Sequence, residues 1–275
     1  MSAHMTAFEV EHADGARQKM IARQPSGSRV SHTLDSAQRE FRSLQQLRAA
    51  GLPVQAVFYC EARTEANPTP LFVLEYVEGR PVIAPTDARG FLRKYADRLV
   101  QVQRFDYGTL VESGLPTQDR GYEERRAVPN EELGETAIFD ALESVPPITR
   151  SNAPVMRHGD FWPGNVLWRD NGIVAVIDWE ECLVGEPLAD LAICRLDLWW
   201  ILGEEAAYEF TELYQAQMNL DLKDLPYWDL CASLRPITNL EAWVPAYLDL
   251  GRTDITYETM ARDHRAFVSQ ALAKF

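Results

Sequence analysis

The distribution of apolar and polar residues divides the chain into a first part built from short strand-like runs and a second part with helical spacing. Residues 6–11 and 19–23 predict two strands around the turn-forming Ala13-Asp14-Gly15, the second ending near Pro25. Residues 36–47 then predict a helix, with Phe41, Leu44 and Leu47 on one face and Gly51 beyond its end. Residues 54–60 and 71–76 predict two more strands, separated by a polar loop over 64–70. From Ala88 to Val102 apolar residues return at helical spacing, and 104–147, rich in Gly, Pro and acid, predicts irregular connections with one or two short helices. Residues 191–202, 204–218, 226–249 in pieces and 257–274 predict further helices.

Between these parts, Asn171-Gly172 is a two-residue hairpin signal, because both residues tolerate the positive φ that the favoured turn requires. Counting outward from that pair places Trp168 opposite Ala175, Val166 opposite Ile177 and Asn165 opposite Asp178. Two oxygen ligands then face each other at the open end, close enough across a strand pair to share a cation. Asp160 lies one loop upstream of Asn165, behind Gly159. An Asp, a loop, an Asn and a second Asp after a hairpin suit phosphoryl transfer: one carboxylate takes the acceptor's proton, and the other two groups hold magnesium.

The run HGDFWPGN at 158–165, VIDWE at 176–180 and GEPLADLA at 185–192 resembles the aminoglycoside phosphotransferase and choline kinase family, relatives of protein kinases. The resemblance implies an α+β, two-lobed, protein-kinase-like fold. A small antiparallel sheet with one helix occupies 1–78, and a larger, mainly helical lobe occupies 79–275. It implies that Asp160 is the catalytic base, that His158 orients the catalytic loop, and that Asn165 and Asp178 bind magnesium. Asp190 would brace the loop by accepting backbone hydrogen bonds. In the small lobe, Arg23 takes the place of the cation that meets the nucleotide phosphates, with Glu40 as its helix acid. Arg at that position, where the family more often has Lys, would grip phosphate bidentately. Glu75, Tyr76 and Val77 are the candidates for reading the nucleotide base through the backbone. The family's first strand and phosphate-covering loop have no counterpart before Thr6, so this part is expected to be missing or truncated.

The function that follows is transfer of the γ-phosphoryl of ATP or GTP to a hydroxyl of a small molecule. Loss of the phosphate loop and Arg23 in the usual lysine place leave open an alternative, a kinase-like nucleotide-binding or regulatory protein with weak or no transfer. A two-metal phosphoesterase is disfavoured, because His158 is the sole histidine near these acids.

Composition narrows the partners. With 41 acidic against 27 basic residues the formal net charge is −14, which opposes binding to nucleic acid and to anionic membrane surfaces. Tyr122-Glu123-Glu124, Glu131-Glu132 and Glu204-Glu205 are candidates for an acidic cleft, although a solvated acidic surface accounts for them more simply. Cys60, Cys182, Cys194 and Cys231 show no paired spacing, and buried reduced thiols in a cytoplasmic protein are expected. Neither a signal-peptide core nor an eighteen-residue apolar run is present. Trp199, Trp200, Trp228, Trp243 and Tyr247 enrich the last third in aromatics, as core in the first instance and as an acceptor wall in the second.

Overall fold

The computed structural model describes residues 3–25, 34–61, 70–112, 114–117, 121–122, 124–146 and 151–275. The polar loop at 64–69 and Glu123 of the acidic candidates lie outside the described residues. Strands β1 (Ala3–Glu11) and β2 (Arg17–Pro25) form the expected hairpin, closed where Gly15 takes φ 81°. Strand β4 (Leu71–Glu75) pairs with β2 on one side and β3 (Val57–Glu61) on the other, so the antiparallel order is β1-β2-β4-β3. Helix α1 (Leu34–Ala49) buries Leu44 and Leu47 in the same core as Phe72 and Leu74, which alternate along β4. That alternation makes one face of the sheet apolar and fixes which way β2 presents Arg23.

The chain leaves this sheet after Glu75 and by Arg80 has joined a second one. There β5 (Arg80–Pro81), β7 (Val166–Arg169) and β8 (Gly172–Val176) form a three-stranded sheet, and β6 (Val155–Arg157) pairs with β9 (Leu183–Gly185). Around these pack α2 (Ala88–Gln103), α3 (Gly108–Glu112), α4 (Glu135–Ser144), α5 (Pro187–Leu202), α6 (Glu204–Met218), α7 (Leu225–Ser233), α8 (Val244–Asp249) and α9 (Tyr257–Leu272). Every residue of α5 from Pro187 to Ile201 is buried, including Asp190, Arg195 and Asp197. A helix that is apolar all round belongs in the middle of its domain, and its polar residues must find partners there. Arg195 does so with Asp229 of α7 (Nε–Oδ1 2.9 Å) and Thr211 of α6 (Nη1–Oγ1 2.6 Å), while Gln270 of α9 donates to Asp229 Oδ2 at 2.9 Å.

The hairpin register differs from the expected one. Asp170 and Asn171, at φ 50° and 60°, are the two central turn residues, and Gly172 opens β8 opposite Arg169. An irregularity between Leu167 and Trp168 then shifts the pairing, so Leu167 faces Ala175 and Val166 faces Val176. Asn165 consequently sits opposite Ile177, whose N–H donates to the Asn165 carbonyl at 2.9 Å, and Asp178 falls one residue further on. Asp tolerates the left-handed region almost as well as Asn, so the turn slid back by one residue.

Trp199, Trp200, Trp228 and Tyr247 are buried, and Trp243 packs against the same core, with Trp200 edge-on to both Trp243 and Tyr247. The aromatic load is therefore core. All four cysteines are free, three of them buried and Cys60 partly so. No described helix is long and apolar enough to cross a membrane.

Candidate active site

The segment between β6 and β7 is built around Asp190. Its carboxylate, fully buried at the first turn of α5, accepts the backbone N–H groups of His158 (2.8 Å) and Gly159 (3.3 Å) and the Arg157 Nε–H (2.9 Å). Three donors on one buried carboxylate fix the path of the loop. Gly159 is required on two counts: its φ is 85°, and a Cβ there would lie 2.4 Å from the Glu181 carbonyl oxygen. The Tyr95 hydroxyl adds a hydrogen bond to the Phe161 carbonyl at 2.6 Å.

His158 is completely buried, edge-on to Phe161 and tilted against Trp179. Its Nε2 lies 3.0 Å from the Ile177 carbonyl, and its Nδ1 accepts the Asp160 N–H at 3.3 Å. That pair of partners assigns the neutral ring with the proton on Nε2. Burial drives the His158 pKa down, against the pull of Asp160, Asp190 and Asp178. The ring therefore ties the 158–165 loop to the end of the hairpin without carrying charge.

Asp160 projects from this braced loop with its side chain 29% exposed. Asn165 Nδ2 donates to its Oδ2 at 3.1 Å and to its backbone carbonyl at 3.0 Å. Arg235, just beyond α7, donates from Nη2 to Oδ1 at 2.6 Å. Burial raises the Asp160 pKa, but the Arg235 guanidinium more than offsets it, with smaller help from His158 and Asn165, and the net shift is downward.

On the other side of the cleft, Arg23 of β2 is 5% exposed and stacks over the Phe72 ring at 4.7 Å. It is held by Glu40 of α1 through Nη2 and Oε1, and its Nη1 reaches Asp178 Oδ1 at 3.3 Å. The Asp178 backbone has φ 65°, an uncommon state for a residue other than glycine, and this turns its carboxylate toward the strand sheet. Desolvation raises the Asp178 pKa, with Arg23 acting against it and Asp160 and Glu40 acting with it. Glu180, two residues on, is pushed up to about 7 by burial and by the neighbouring Asp178 charge.

The structure thus brings Asp160, His158, Asn165, Asp178, Arg23, Glu40 and Asp190 into one connected site. It does not do the same for the three hinge candidates. Glu75 is committed internally: its carboxylate accepts from Arg48 (2.8 Å) and Ala56 N (3.0 Å), its amide donates to the Ala56 carbonyl, and its carbonyl accepts from Gln55 Nε2. The Glu75 backbone donor is therefore committed to the sheet, and its carbonyl already accepts one hydrogen bond. The Tyr76 N–H also goes inward, to the Lys19 carbonyl at 3.3 Å. Among the described residues no hydrogen bond takes up the Tyr76 carbonyl or the Val77 backbone.

Arg235, Arg157, Glu180 and Asp197 were not anticipated. Arg235 lies 75 residues from Asp160, outside any recognisable motif, and no local sequence signal could have found it. Asp197 could have been suspected as an acid seven positions after Asp190 on an otherwise apolar helix, hence two turns along the same face. It is buried, accepts the Tyr247 hydroxyl at 3.2 Å, and burial raises its pKa to about 7, against the opposing pull of Arg235. The native carboxyl then keeps a proton that the unfolded chain releases near the ordinary value of 3.8, so stability falls as pH rises from there to about 7. Asp197→Asn is expected to stabilise the fold by about 2–4 kcal/mol at pH 8 and to confer nothing below about pH 4. Chemical denaturation at both pH values checks this; an equal gain at each would contradict the buried-acid assignment.

Comparison with known proteins places this geometry in context. Residues 3–229 match the model of the phosphotransferase enzyme family, APH. The Gallus gallus acyl-CoA dehydrogenase family member 11 is 26% identical over 224 residues, which are 71% of this chain and 28% of that protein. Its Homo sapiens counterpart is 25% identical over 207 residues, 68% of this chain and 26% of its own length. The match therefore spans little more than a quarter of these relatives.

Among solved structures, the GDP complex of wild-type aminoglycoside 2'-phosphotransferase-IIIa superposes with a TM-score of 0.61 at 17% identity, covering 95% of this chain and 92% of that one. Amicoumacin kinase hAmiN in complex with AMP-PNP, Ca2+ and Ami gives 0.59 at 15% identity over 99% and 87%. These likenesses show the two-lobed, kinase-like α+β fold. With more than four-fifths of its residues matched by the family model, the chain belongs to the phosphotransferase enzyme family.

Proposed function

We propose that the protein is a small-molecule kinase that transfers the γ-phosphoryl group of ATP or GTP to a hydroxyl acceptor. The observation that carries this reading is a pair of clusters joined through the hairpin backbone: Asn165, bonded to Asp160 on the helical side, accepts the Ile177 N–H at its carbonyl, and Asp178, the next residue along, joins Arg23 and Glu40 on the sheet side. In it, Asp160 accepts the hydroxyl proton. Its Oδ1 is taken by Arg235, so Oδ2, which meets only the Asn165 amide, is the atom left to receive it. Arg23 meets the nucleotide phosphates, and Glu40 fixes its guanidinium. The Tyr76 carbonyl and the Val77 backbone read the base. Asp190 and His158 keep Asp160 in place from behind.

The Asn165 amide oxygen and the Asp178 carboxylate suit magnesium, being hard oxygen donors of low count, as expected where nucleotide phosphates and water complete the shell. Bound there, the ion would neutralise charge on the phosphates.

The acceptor is a small molecule bearing a hydroxyl, and binding neither nucleic acid nor membrane is part of this reading. A second reading is favoured by the Arg235 contact: a base whose proton affinity is lowered by a guanidinium suits a nucleotide-binding protein with slow transfer.

Thermal stabilisation by ATP and by GTP, with and without magnesium, tests the proposal. The wild-type protein is expected to gain stability only with the metal present, and Asp178→Asn to lose that gain. Equal nucleotide binding in chelator, or in the Asp178→Asn protein, overturns the assignment. Nucleotide turnover against a panel of hydroxyl acceptors then separates the two readings.

A further inference from the structure

Arg235 reaches Asp160 from the segment after α7. Its Nη2 lies 2.6 Å from Asp160 Oδ1 and 4.0 Å from Glu181 Oε2, and its guanidinium covers the Trp243 ring at 5.8 Å. Trp243 is itself edge-on to Trp200 at 5.9 Å and packs against the core. The buried Asp197 is a third acid close enough to act on this cation. Burial opposes the Arg235 charge, but Asp160 first, then Glu181 and Asp197, hold its pKa above the ordinary arginine value. One guanidinium thus serves three carboxyl groups, among them the one assigned to the acceptor's proton.

The surroundings of this contact are not an acidic cleft. A cavity of 200 Å³ beside Gly159 is lined by both Arg157 and Arg235, with Glu181 as the one acid among its described lining residues. Of the acidic runs singled out in the sequence, Glu131 accepts the Thr136 hydroxyl and Glu132 the Tyr257 hydroxyl, and neither bonds Arg235 or Asp160. A chain of net charge −14 therefore places a cation, not an excess of carboxylate, against its base.

We infer that Arg235 is a specificity-determining residue: it fills, from within the chain, the place on Asp160 Oδ1 that a positively charged group of an acceptor would take, so the acceptor is a hydroxyl compound with no cation beside the reacting hydroxyl. The inference rests on Asp160 as the acceptor-facing base. A half-buried carboxylate holds an ammonium or guanidinium group through charge-assisted hydrogen bonds. Here that bond is already made by a side chain that loses no translational freedom in making it. A second cation brought to the same carboxylate would lie against the first, where partial burial weakens screening. Such a built-in like charge separates acceptors by what it repels. An uncharged hydroxyl needs only Oδ2, whose partner is the Asn165 amide.

Ligand-observed NMR titration with methylguanidinium chloride, at fixed ionic strength, tests the inference. Arg235→Ala is expected to bind the ion saturably in the low millimolar range. The wild type and Arg235→Lys, which keeps the charge, are expected to bind it at least about tenfold more weakly. Adding Asp160→Asn to Arg235→Ala is expected to abolish the gain, a dependence that a merely structural role for Arg235 would not produce. Equal affinity in the wild type and Arg235→Ala, or a gain that survives Asp160→Asn, overturns the proposal. So does saturable binding to the wild type that Asp160→Asn alone removes, whether or not the alanine variant folds. The titration contains neither nucleotide nor metal, so its failure is separable from failure of the nucleotide and magnesium test of the kinase reading.

Discussion

Asp160→Asn is expected to lower the rate of phosphoryl transfer by about 10²–10⁴-fold while changing nucleotide affinity little. Asparagine keeps an oxygen for Arg235 Nη2 and a similar volume in the braced loop; its amide NH2 replaces the Oδ2 that accepted from Asn165 Nδ2, and Asn165 keeps its bond to the residue-160 carbonyl. What disappears is the carboxylate to which the proposed function assigns the acceptor's proton. Since that group acts in the transition state rather than on the bound nucleotide, the loss belongs to kcat and not to KM for nucleotide. Single-turnover transfer with a competent acceptor, together with nucleotide binding measured separately, checks both halves. A variant that transfers within threefold of the wild type would remove Asp160 from the mechanism.

Asp229→Ala is expected to cost about 3–5 kcal/mol of stability, because it strands a buried charge. Arg195 is 2% exposed, lies in the middle of α5, and has Asp229 as its carboxylate partner at 2.9 Å. The same substitution leaves Gln270 Nε2 without its acceptor, so α5, α7 and α9 lose their shared polar junction together. Removing both charges with Arg195→Met and Asp229→Leu is expected to restore much of the loss, since an apolar pair of similar volume avoids the desolvation of either ion. Urea unfolding midpoints of the single and double variants measure this. A single-variant loss under 1 kcal/mol would mean that the core relaxes around Arg195 and readmits water.

The sequence made some of this legible and hid the rest for identifiable reasons. Residues joined by short segments were readable from pattern, the β1–β2 hairpin from Gly15 and α1 from the spacing of Leu44 and Leu47, whereas the Asp190 brace was legible only through the family resemblance of GEPLADLA. The register of the β7–β8 hairpin was not, because Asp170 and Asn171 compete with Asn171 and Gly172 for the turn on nearly equal terms, and the bulge after Leu167 leaves no mark in composition. Arg235 and Asp197 reach the site through tertiary packing of α5, α7 and the segment after it, a contact order that local pattern does not encode. For Glu75, its position at the end of β4 was legible, but the partners of its backbone groups were not, because they come from Gln55 and Ala56, twenty and nineteen residues away.

The stacking of Arg23 on Phe72, between Glu40 and Asp178, means that this guanidinium has shed its water before any nucleotide arrives. Dehydration of the cation is thus settled when the chain folds. Under the proposed function, an incoming phosphate would only have to exchange places with one carboxylate oxygen, a swap that conserves the number of contacts on the cation.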